Sequence, residues 1–252
     1  MRTRIALLIL TIPALCGCRC LCGAKAVEDP IVFGLTNHPD RFFEVVSEQE
    51  GWGTTTGWTQ LHVEQGWKRV HGRDQAVVLM ISTSHDPDLR LPPVMEELTL
   101  ERTADGVDLR RHRVVTAELP DEIFEFEPGH MVMPQNPQTG QEWVHTNGRF
   151  RYWSRVVDTG APNPNPLVEE FADAPGCMQL VGVSTERRTS GALGVTVTES
   201  HWARGLGPVM IEEWSGVLFD VDADDPDLAA LADRRGELNA HATLKLMPLG
   251  TP

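Results

Sequence analysis

A run of alternating carboxylates is the most concentrated polar chemistry in this sequence. Asp220, Asp222 and Asp224 occupy every second position, the spacing with which many calcium-binding loops begin. Such a loop also needs glycine at its sixth position and glutamate at its twelfth, where this chain has Asp225 and Leu231. The pattern therefore favours a strand that leads into a capped helix, with acidic residues near the positive end of the helix dipole. Calcium is disfavoured, and no other cofactor is expected.

Residue types that catalyse hydrolysis are present, but they form no recognisable motif. The nine histidines occur singly, with no His-x-His pair, although a metal site assembled across strands, such as His62 with His71, stays open. Ser84, His85 and Asp86 are adjacent, and neighbouring strand residues point to opposite faces, so this segment is interpreted as a polar loop. A nucleophile elbow, a His-Glu-x-x-His helix, a phosphate loop and a dinucleotide fingerprint are all missing from the sequence. A non-enzymatic protein is therefore favoured over a hydrolase with an unrecognised acidic site.

The cysteines are distributed very unevenly. Four of the five lie within residues 16–22, and Cys177 alone lies in the body of the chain. A solitary cysteine lacks the spacing of a metal knuckle. We expect a buried apolar thiol, and a disulfide with Cys20 or Cys22 in an oxidising compartment is the alternative.

The N-terminus has the features of a secretory signal peptide. A short basic start is followed by an apolar run of about a dozen residues, which suits a signal peptide and is too short for a membrane-spanning helix of about 20 residues. The run ends at Leu15-Cys16-Gly17-Cys18, which resembles the lipobox of bacterial lipoproteins. The resemblance implies that residues 1–17 are removed and that Cys18 accepts a diacylglycerol. The alternative is an ordinary signal peptide cut near Gly23-Ala24.

The lipobox resemblance also implies where the protein resides. The membrane partner would be reached through the N-terminal lipid, and residues 18–30 would tether a single β-rich domain at 31–252. Arg19 follows the expected anchor, where enterobacterial sorting reads aspartate as a retention signal, so the cell envelope and specifically the outer membrane are expected by analogy. The formal net charge of −14 repels phosphate backbones, which argues against a nucleic-acid partner.

Most of the chain alternates with the period of a β-strand. Eleven segments alternate or form short apolar runs, with turn residues such as Ala104-Asp105-Gly106 between them. They are 58–64, 76–82, 94–103, 107–117, 122–127, 143–146, 150–157, 178–185, 193–203, 209–221 and 241–247. Strands this closely spaced predict a mainly β fold, a curved antiparallel meander in the form of a half-barrel or barrel, because exposed sheet edges promote aggregation.

Two short helices and two long loops complete the predicted architecture. Residues 39–49 place Phe42, Phe43 and Val46 on one helical face, and Asp225-Pro226-Asp227 predicts the start of a helix near the C-terminus. The loops at 133–140 and 160–176 are rich in proline, asparagine and glycine. The Pro-rich loop at 160–176 either divides two domains or is an insertion across the mouth of one sheet. We favour the insertion, because strands of the same character continue on both sides.

One hairpin resembles a known group of proteins. Trp202-Ala203-Arg204-Gly205-Leu206-Gly207-Pro208-Val209 resembles a Trp-Ala-x-Gly-x-Gly-x-Val motif of uncharacterised bacterial envelope lipoproteins. Gly205 and Gly207 permit the positive φ of a tight turn, and Trp202 and Trp214 are expected to cap one sheet face. The resemblance implies a curved sheet, like the half-barrels of lipoprotein carriers.

These observations lead to an expectation about function. We expect a membrane-anchored, non-enzymatic binding or scaffold protein whose partner is an apolar ligand or another envelope protein. Its hollow face is predicted to be lined by large apolar side chains, namely Met131, Met133, Trp143, Trp153 and Met178. The opposing interpretation is that these side chains only fill a core.

Overall fold

The computed structural model describes residues 40–51, 53–84, 93–117, 119–148, 150–165, 176–188, 191–203 and 206–248. Within these ranges the chain forms one twelve-stranded sheet and one short helix, α1. The strands are β1 Asp40–Gln49, β2 Gly53–Val70, β3 Arg73–Ser84, β4 Val94–Arg102, β5 Gly106–Thr116, β6 Glu122–Pro134, β7 Glu142–Asn147, β8 Phe150–Pro162, β9 Gly176–Arg187, β10 Leu193–Ala203, β11 Gly207–Leu218 and β12 Ala240–Leu246. Helix α1 spans Leu228–Asp233 and is followed by a 3-10 turn at Arg235–Glu237.

All neighbouring strands are antiparallel, in the order β6-β5-β4-β3-β2-β1-β12-β11-β10-β9-β8-β7. Strand β1 therefore pairs with both β2 and β12, which joins the two ends of the described chain in the middle of the sheet. The sheet curls until it is nearly closed into a barrel. The predicted mainly β, curved antiparallel meander is confirmed, and each of the eleven predicted strands is present.

The two sheet edges, β6 and β7, meet along a seam that side chains bridge. The indole Nε1 of Trp143 donates to the carbonyl of Met131 at 2.8 Å, and the Asn147 amide donates to the carbonyl of Glu125 at 2.9 Å. Phe124 and Phe150 meet edge to face with ring centroids 5.5 Å apart. Side-chain donors and aromatic contacts thus cover edges that would otherwise expose unpaired backbone groups.

Apolar side chains occupy both faces of the sheet, in two separate clusters. The larger cluster fills the barrel interior with alternate residues of the strands, for example Phe43 of β1, Leu61 of β2 and Ile211 of β11. The smaller cluster lies outside, where Leu228 and Leu231 of α1 pack with residues of β8, β9 and β10. Alternation therefore does not leave the whole outer face polar, because α1 covers part of it.

The prediction of a helix at 39–49 is wrong, because Asp40–Gln49 forms β1. Phe42 and Phe43 lie on opposite faces of this strand, since Phe43 is buried in the interior cluster while the ring of Phe42 makes a tilted contact with Trp58. The apolar spacing fits both periods. Hydrogen bonding to a strand on each side, β2 and β12, overrides the local helical pattern.

The second predicted helix is confirmed as α1. Asp227 is its N-cap, and the Asp227 carboxylate accepts a hydrogen bond from the backbone N–H of Ala230 at 3.1 Å. Among the described residues, no helix is both long enough and apolar enough to cross a membrane.

The hairpin between β10 and β11 differs from expectation in one respect. Trp202 is buried in the interior cluster, whereas Trp214 packs against the outer cluster, so the two indoles do not cap the same face. Trp214 pairs with Val197, and the side chains of paired residues lie on the same face. Trp202 lies five residues after Val197 on β10, an odd number, so its side chain points to the opposite face. The register shifts next to Pro208, which has no backbone N–H to donate.

Gly207 has φ of +81° at the start of β11, a conformation that a β-branched residue adopts only under strain. We expect Gly207→Val to lower the free energy of unfolding by about 1–3 kcal/mol, measured by urea titration. Gly236→Val is the matched control, because Gly236 has open space around it and no positive φ. Equal effects of the two substitutions would contradict a strain mechanism.

Candidate ligand-binding interior

The barrel interior holds polar and ionisable side chains as well as the apolar cluster. Alternation places Glu213 on the same face of β11 as Val209 and Ile211, which belong to the interior cluster. The same argument places Arg41 inward beside Phe43 on β1. Further buried or half-buried hydroxyls lie at inward positions of other strands: Thr59, Ser82, Ser154, Thr198 and Ser200.

Glu213 is the most isolated carboxyl group of the interior. Its residue is 1% exposed, and within the described part of the chain neither carboxyl oxygen has a hydrogen-bond partner. Burial raises its pKa well above the usual range, and the negative charge of Glu96 raises it further. Burial therefore favours the protonated form of Glu213, in which a carboxyl group can donate one hydrogen bond and accept another.

Glu96 and His112 form a buried pair opposite Glu213. The Nε2 of His112 lies 2.7 Å from a carboxyl oxygen of Glu96, and both side chains are almost inaccessible. Glu96 lies on β4 and Glu213 on β11, five strand spacings apart in the sheet order, which is about 24 Å along a flat sheet. Glu96 nevertheless raises the pKa of Glu213, because the sheet curls and brings these two strands to face each other across the interior.

Arg41 is a buried cation that no described residue neutralises. It is 1% exposed, and Nε, Nη1 and Nη2 all lack hydrogen-bond partners. Burial alone lowers its pKa, to about 9, with no contribution from a carboxylate. The guanidinium therefore stays charged at neutral pH. Buried charges are ordinarily paired, because an unpaired charge retains its full desolvation cost.

Two histidines and a tyrosine pack together beside the seam with their rings tilted. The ring of His130 lies 4.5 Å from Tyr152 and 5.1 Å from His145, between centroids. The Nδ1 of His130 and the Nε2 of His145 are buried without hydrogen-bond partners. Burial lowers the pKa of His130 to about 3, with a smaller contribution from His145, so the imidazole is neutral in the folded protein.

One mouth of the barrel is covered by the beginning of the Pro-rich loop. The buried Asn165 amide donates to the carbonyls of Val209 at 3.0 Å and Leu246 at 2.7 Å. This contact ties the loop to β11 and β12. The loop predicted at 160–176 is shorter than expected, because β8 extends to Pro162 and β9 begins at Gly176. Residues 166–175 lie outside the described ranges.

The five side chains predicted to line a hollow face are not brought together. Met133 and Met178 belong to the interior cluster, and Trp143 packs against that cluster at the seam. The backbone of Met131 accepts the Trp143 indole hydrogen bond. Trp153 instead belongs to the outer cluster and bonds to Glu142. The prediction did not take account of alternation along β8. This alternation places Trp153 on the outer face, whereas Tyr152 lies on the inner face.

The acidic run is engaged by other partners. Asp220 is bound by Arg234 at 2.9 Å, and Asp224 pairs with Arg187. Asp222 accepts from the backbone N–H of Asp224 at 2.9 Å. Within the described ranges, no three histidine, cysteine, aspartate or glutamate side chains are grouped to hold a metal ion. The three carboxylates thus serve turn and ion-pair contacts.

Several other predicted residues can now be located. Cys177 is buried and free, and burial raises the pKa of its thiol to about 11. His62 is hydrogen-bonded to Asp40 at 2.7 Å, and His71 lies exposed in the β2–β3 turn. Cys18, Gly205, His85 and Asp86 lie outside the described residues.

Sequence reasoning missed Arg41, Glu96 and Glu213. The sequence does indicate their inward position, because each lies two residues from an apolar residue on the same face of its strand. Glu213, for example, follows Val209 and Ile211 at alternate positions. The helical interpretation of residues 39–49 hides the shared parity of Arg41 and Phe43, which only a strand makes visible. Comparison of this chain with protein-family models, curated proteins and solved structures found no match.

Acid is expected to destabilise the fold through His130. The unfolded chain protonates this residue near its ordinary pKa of 6.5, whereas the folded chain resists protonation until about pH 3. The free energy of unfolding should therefore fall as the pH drops through that window, with a slope of at most about 1.4 kcal/mol per pH unit. Glu213 acts in the opposite direction. Because its folded-state pKa is raised, its contribution to the free energy of unfolding increases as the pH falls.

A variant comparison isolates the histidine. We expect His130→Phe, which preserves an aromatic ring, to lose stability less steeply than the parent between about pH 7 and about pH 4 in urea titrations. The exposed His71 provides the control as His71→Asn, which should follow the parent curve. Parallel curves for parent and His130→Phe would refute this role of His130.

Proposed function

We propose that this chain is a membrane-anchored, non-enzymatic binding protein of the bacterial cell envelope, and that it holds its ligand inside the barrel. The observation that carries the proposal is the pair of buried, unpartnered ionisable side chains on the inward face, Arg41 and Glu213. The anchor is the lipid predicted at Cys18. Outer-membrane placement follows from the same analogy.

Unpartnered buried polar groups support a ligand because they oppose folding by themselves. Each unsatisfied polar group costs about 1–3 kcal/mol, and a charged group costs more. A core that only had to be stable would carry apolar residues at these positions. Groups left unsatisfied in the free protein are able to bind complementary groups of a ligand, and their cost is then offset by binding.

The size of the sheet supports an interior site as well. A barrel of about eight strands has an interior that side chains can fill, or that holds one small ligand, and the diameter grows with strand number. Twelve strands are nearly closed here. The interior of this barrel is therefore wider than that of an eight-stranded barrel, whose inward side chains can fill it.

A hydrolase with an acidic site is the second candidate, and one observation favours it. Glu96 bonds to His112, while burial raises the pKa of the facing Glu213, and two carboxyl groups in different environments can divide the roles of acid and base. Turnover of ester or glycoside substrates that is abolished by Glu213→Gln would support this candidate over the binding proposal.

The binding proposal predicts that Glu213 lowers stability and is needed for ligand. Glu213→Leu removes an unsatisfied buried carboxyl while keeping a similar volume, so we expect the free energy of unfolding to rise by about 1–3 kcal/mol. We expect the same variant to lose the small molecules that accompany the parent, measured by native mass spectrometry of protein purified from membranes.

Glu213→Gln is the matched control for this experiment. Glutamine keeps the size and polarity of the side chain, so it should not reproduce the gain in stability. A Glu213→Leu variant that is less stable than the parent would show that Glu213 has a structural partner. Glu213 would then no longer count as an unpartnered group, and the binding proposal would lose that support.

Lipidation is tested separately from ligand binding. The native protein should carry a diacyl or triacyl N-terminal cysteine at position 18 by mass spectrometry. Cys18→Ser should release the protein from the membrane fraction, because a single acyl chain already binds only marginally and none would remain. Continued partition of Cys18→Ser with membranes would refute the anchor.

A further inference from the structure

We infer that the ligand is an amphiphile with a carboxylate or phosphate head, and that the guanidinium of Arg41 binds this head inside the barrel. The inference rests on the proposed function and specifies the ligand class. The shared chemistry is an oxyanion joined to an apolar chain. A fatty acid and a monoalkyl phosphate both have it.

The head group follows from the donors of Arg41. A guanidinium presents a planar fork of N–H groups that matches two oxygens of a carboxylate or phosphate. All three nitrogens of Arg41 are buried without a partner. Within the described chain, no neutral polar group bonds to the guanidinium in place of an anion. Arg41 pairs with Leu61 of β2, and Phe43 follows it on the same face of β1, so its neighbours there are apolar.

A negative counter-ion within the described chain is missing at this position. The charge of Glu96 raises the pKa of Glu213, but neither carboxyl contributes to the pKa shift of Arg41. Glu101, the other buried acid, is bonded to Arg110 at 2.8 Å and lies near Arg73. The described ranges therefore hold a buried cation and leave its anion to be supplied by a ligand.

The apolar part of the ligand follows from the surroundings. Arg41 shares its face with the interior cluster, whose nearest members along the neighbouring strands are Phe43, Leu61, Met80 and Leu246. A free inorganic anion would pair with the guanidinium but would bring no apolar surface to this cluster. An alkyl chain satisfies both environments, with burial worth about 0.8 kcal/mol per CH₂ group.

Binding is measured on the whole mature chain, residues 18–252, carrying Cys18→Ser so that neither lipid nor detergent is present. Displacement of the neutral dye N-phenylnaphthylamine compares dodecanoate, dodecyl phosphate, dodecanol and dodecylammonium, which share one alkyl chain. We expect one or both anions to bind about 10- to 100-fold more tightly than dodecanol, the range of a charge-assisted hydrogen-bonded contact. Preference for dodecanoate or for dodecyl phosphate identifies the head.

Substitution of Arg41 tests whether its side chain binds the anionic head group. Arg41→Met should abolish the preference for the anions, while dodecanol binding remains and the thermal midpoint rises because a buried unpaired charge has been removed. Arg41→Lys should restore part of the preference, since it keeps the charge but not the fork. Arg69→Met, at an arginine whose side chain is 71% exposed, is the control and should behave as the parent.

The outcomes separate this inference from the proposed function. Equal binding of anions and dodecanol, or an anion preference that survives Arg41→Met, overturns the inference and leaves the interior as a binding site. Tighter binding of dodecylammonium also overturns it, since the head would then belong with the carboxyls. If neither the dye nor any dodecyl compound binds, an apolar-ligand function fails together with the inference.

Discussion

Closure of the twelve-stranded sheet is the constraint on which the remaining structure depends. A meander has two free edges, here β6 and β7, and open edges invite pairing with other chains. The indole of Trp143 and the amide of Asn147 bond to backbone carbonyls of β6, and aromatic rings pack along the same line. Because the edges meet, strands that are distant in the sheet order face each other, and the inward face becomes an enclosed interior.

Enclosure changes the meaning of the polar residues on the inward face. On an open sheet, Arg41 and Glu213 would be hydrated, and their positions would carry little cost. In the closed sheet both are 1% exposed and lack hydrogen-bond partners. The raised pKa of Glu213 also follows from enclosure, since burial and the facing Glu96 both disfavour its charge. The interior is thus prepared for polar contacts that the described chain does not itself complete.

The outer surface shows how stability is supplied elsewhere. Helix α1 covers apolar residues of β8, β9 and β10, and the salt bridges of the acidic run hold the segment that leads to it. Asn165 fixes the loop at one mouth to β11 and β12. The contacts of α1 lie on the outer face of the sheet, so packing there helps to offset the cost of the unsatisfied groups inside.

The sequence by itself determined the eleven predicted strands, the capped helix at Asp227 and the positive φ of Gly207, because alternation, capping and turn chemistry are local. It also predicts a lipid anchor at Cys18. Only the tertiary structure decided that residues 40–49 form a strand, since β1 is held by β2 and by the distant β12. It also decided which side of each strand is enclosed, which moved Trp153 outside and Arg41, Glu96 and Glu213 inside. Period-two patterns specify two faces, and only pairing between distant segments determines which face closes on itself.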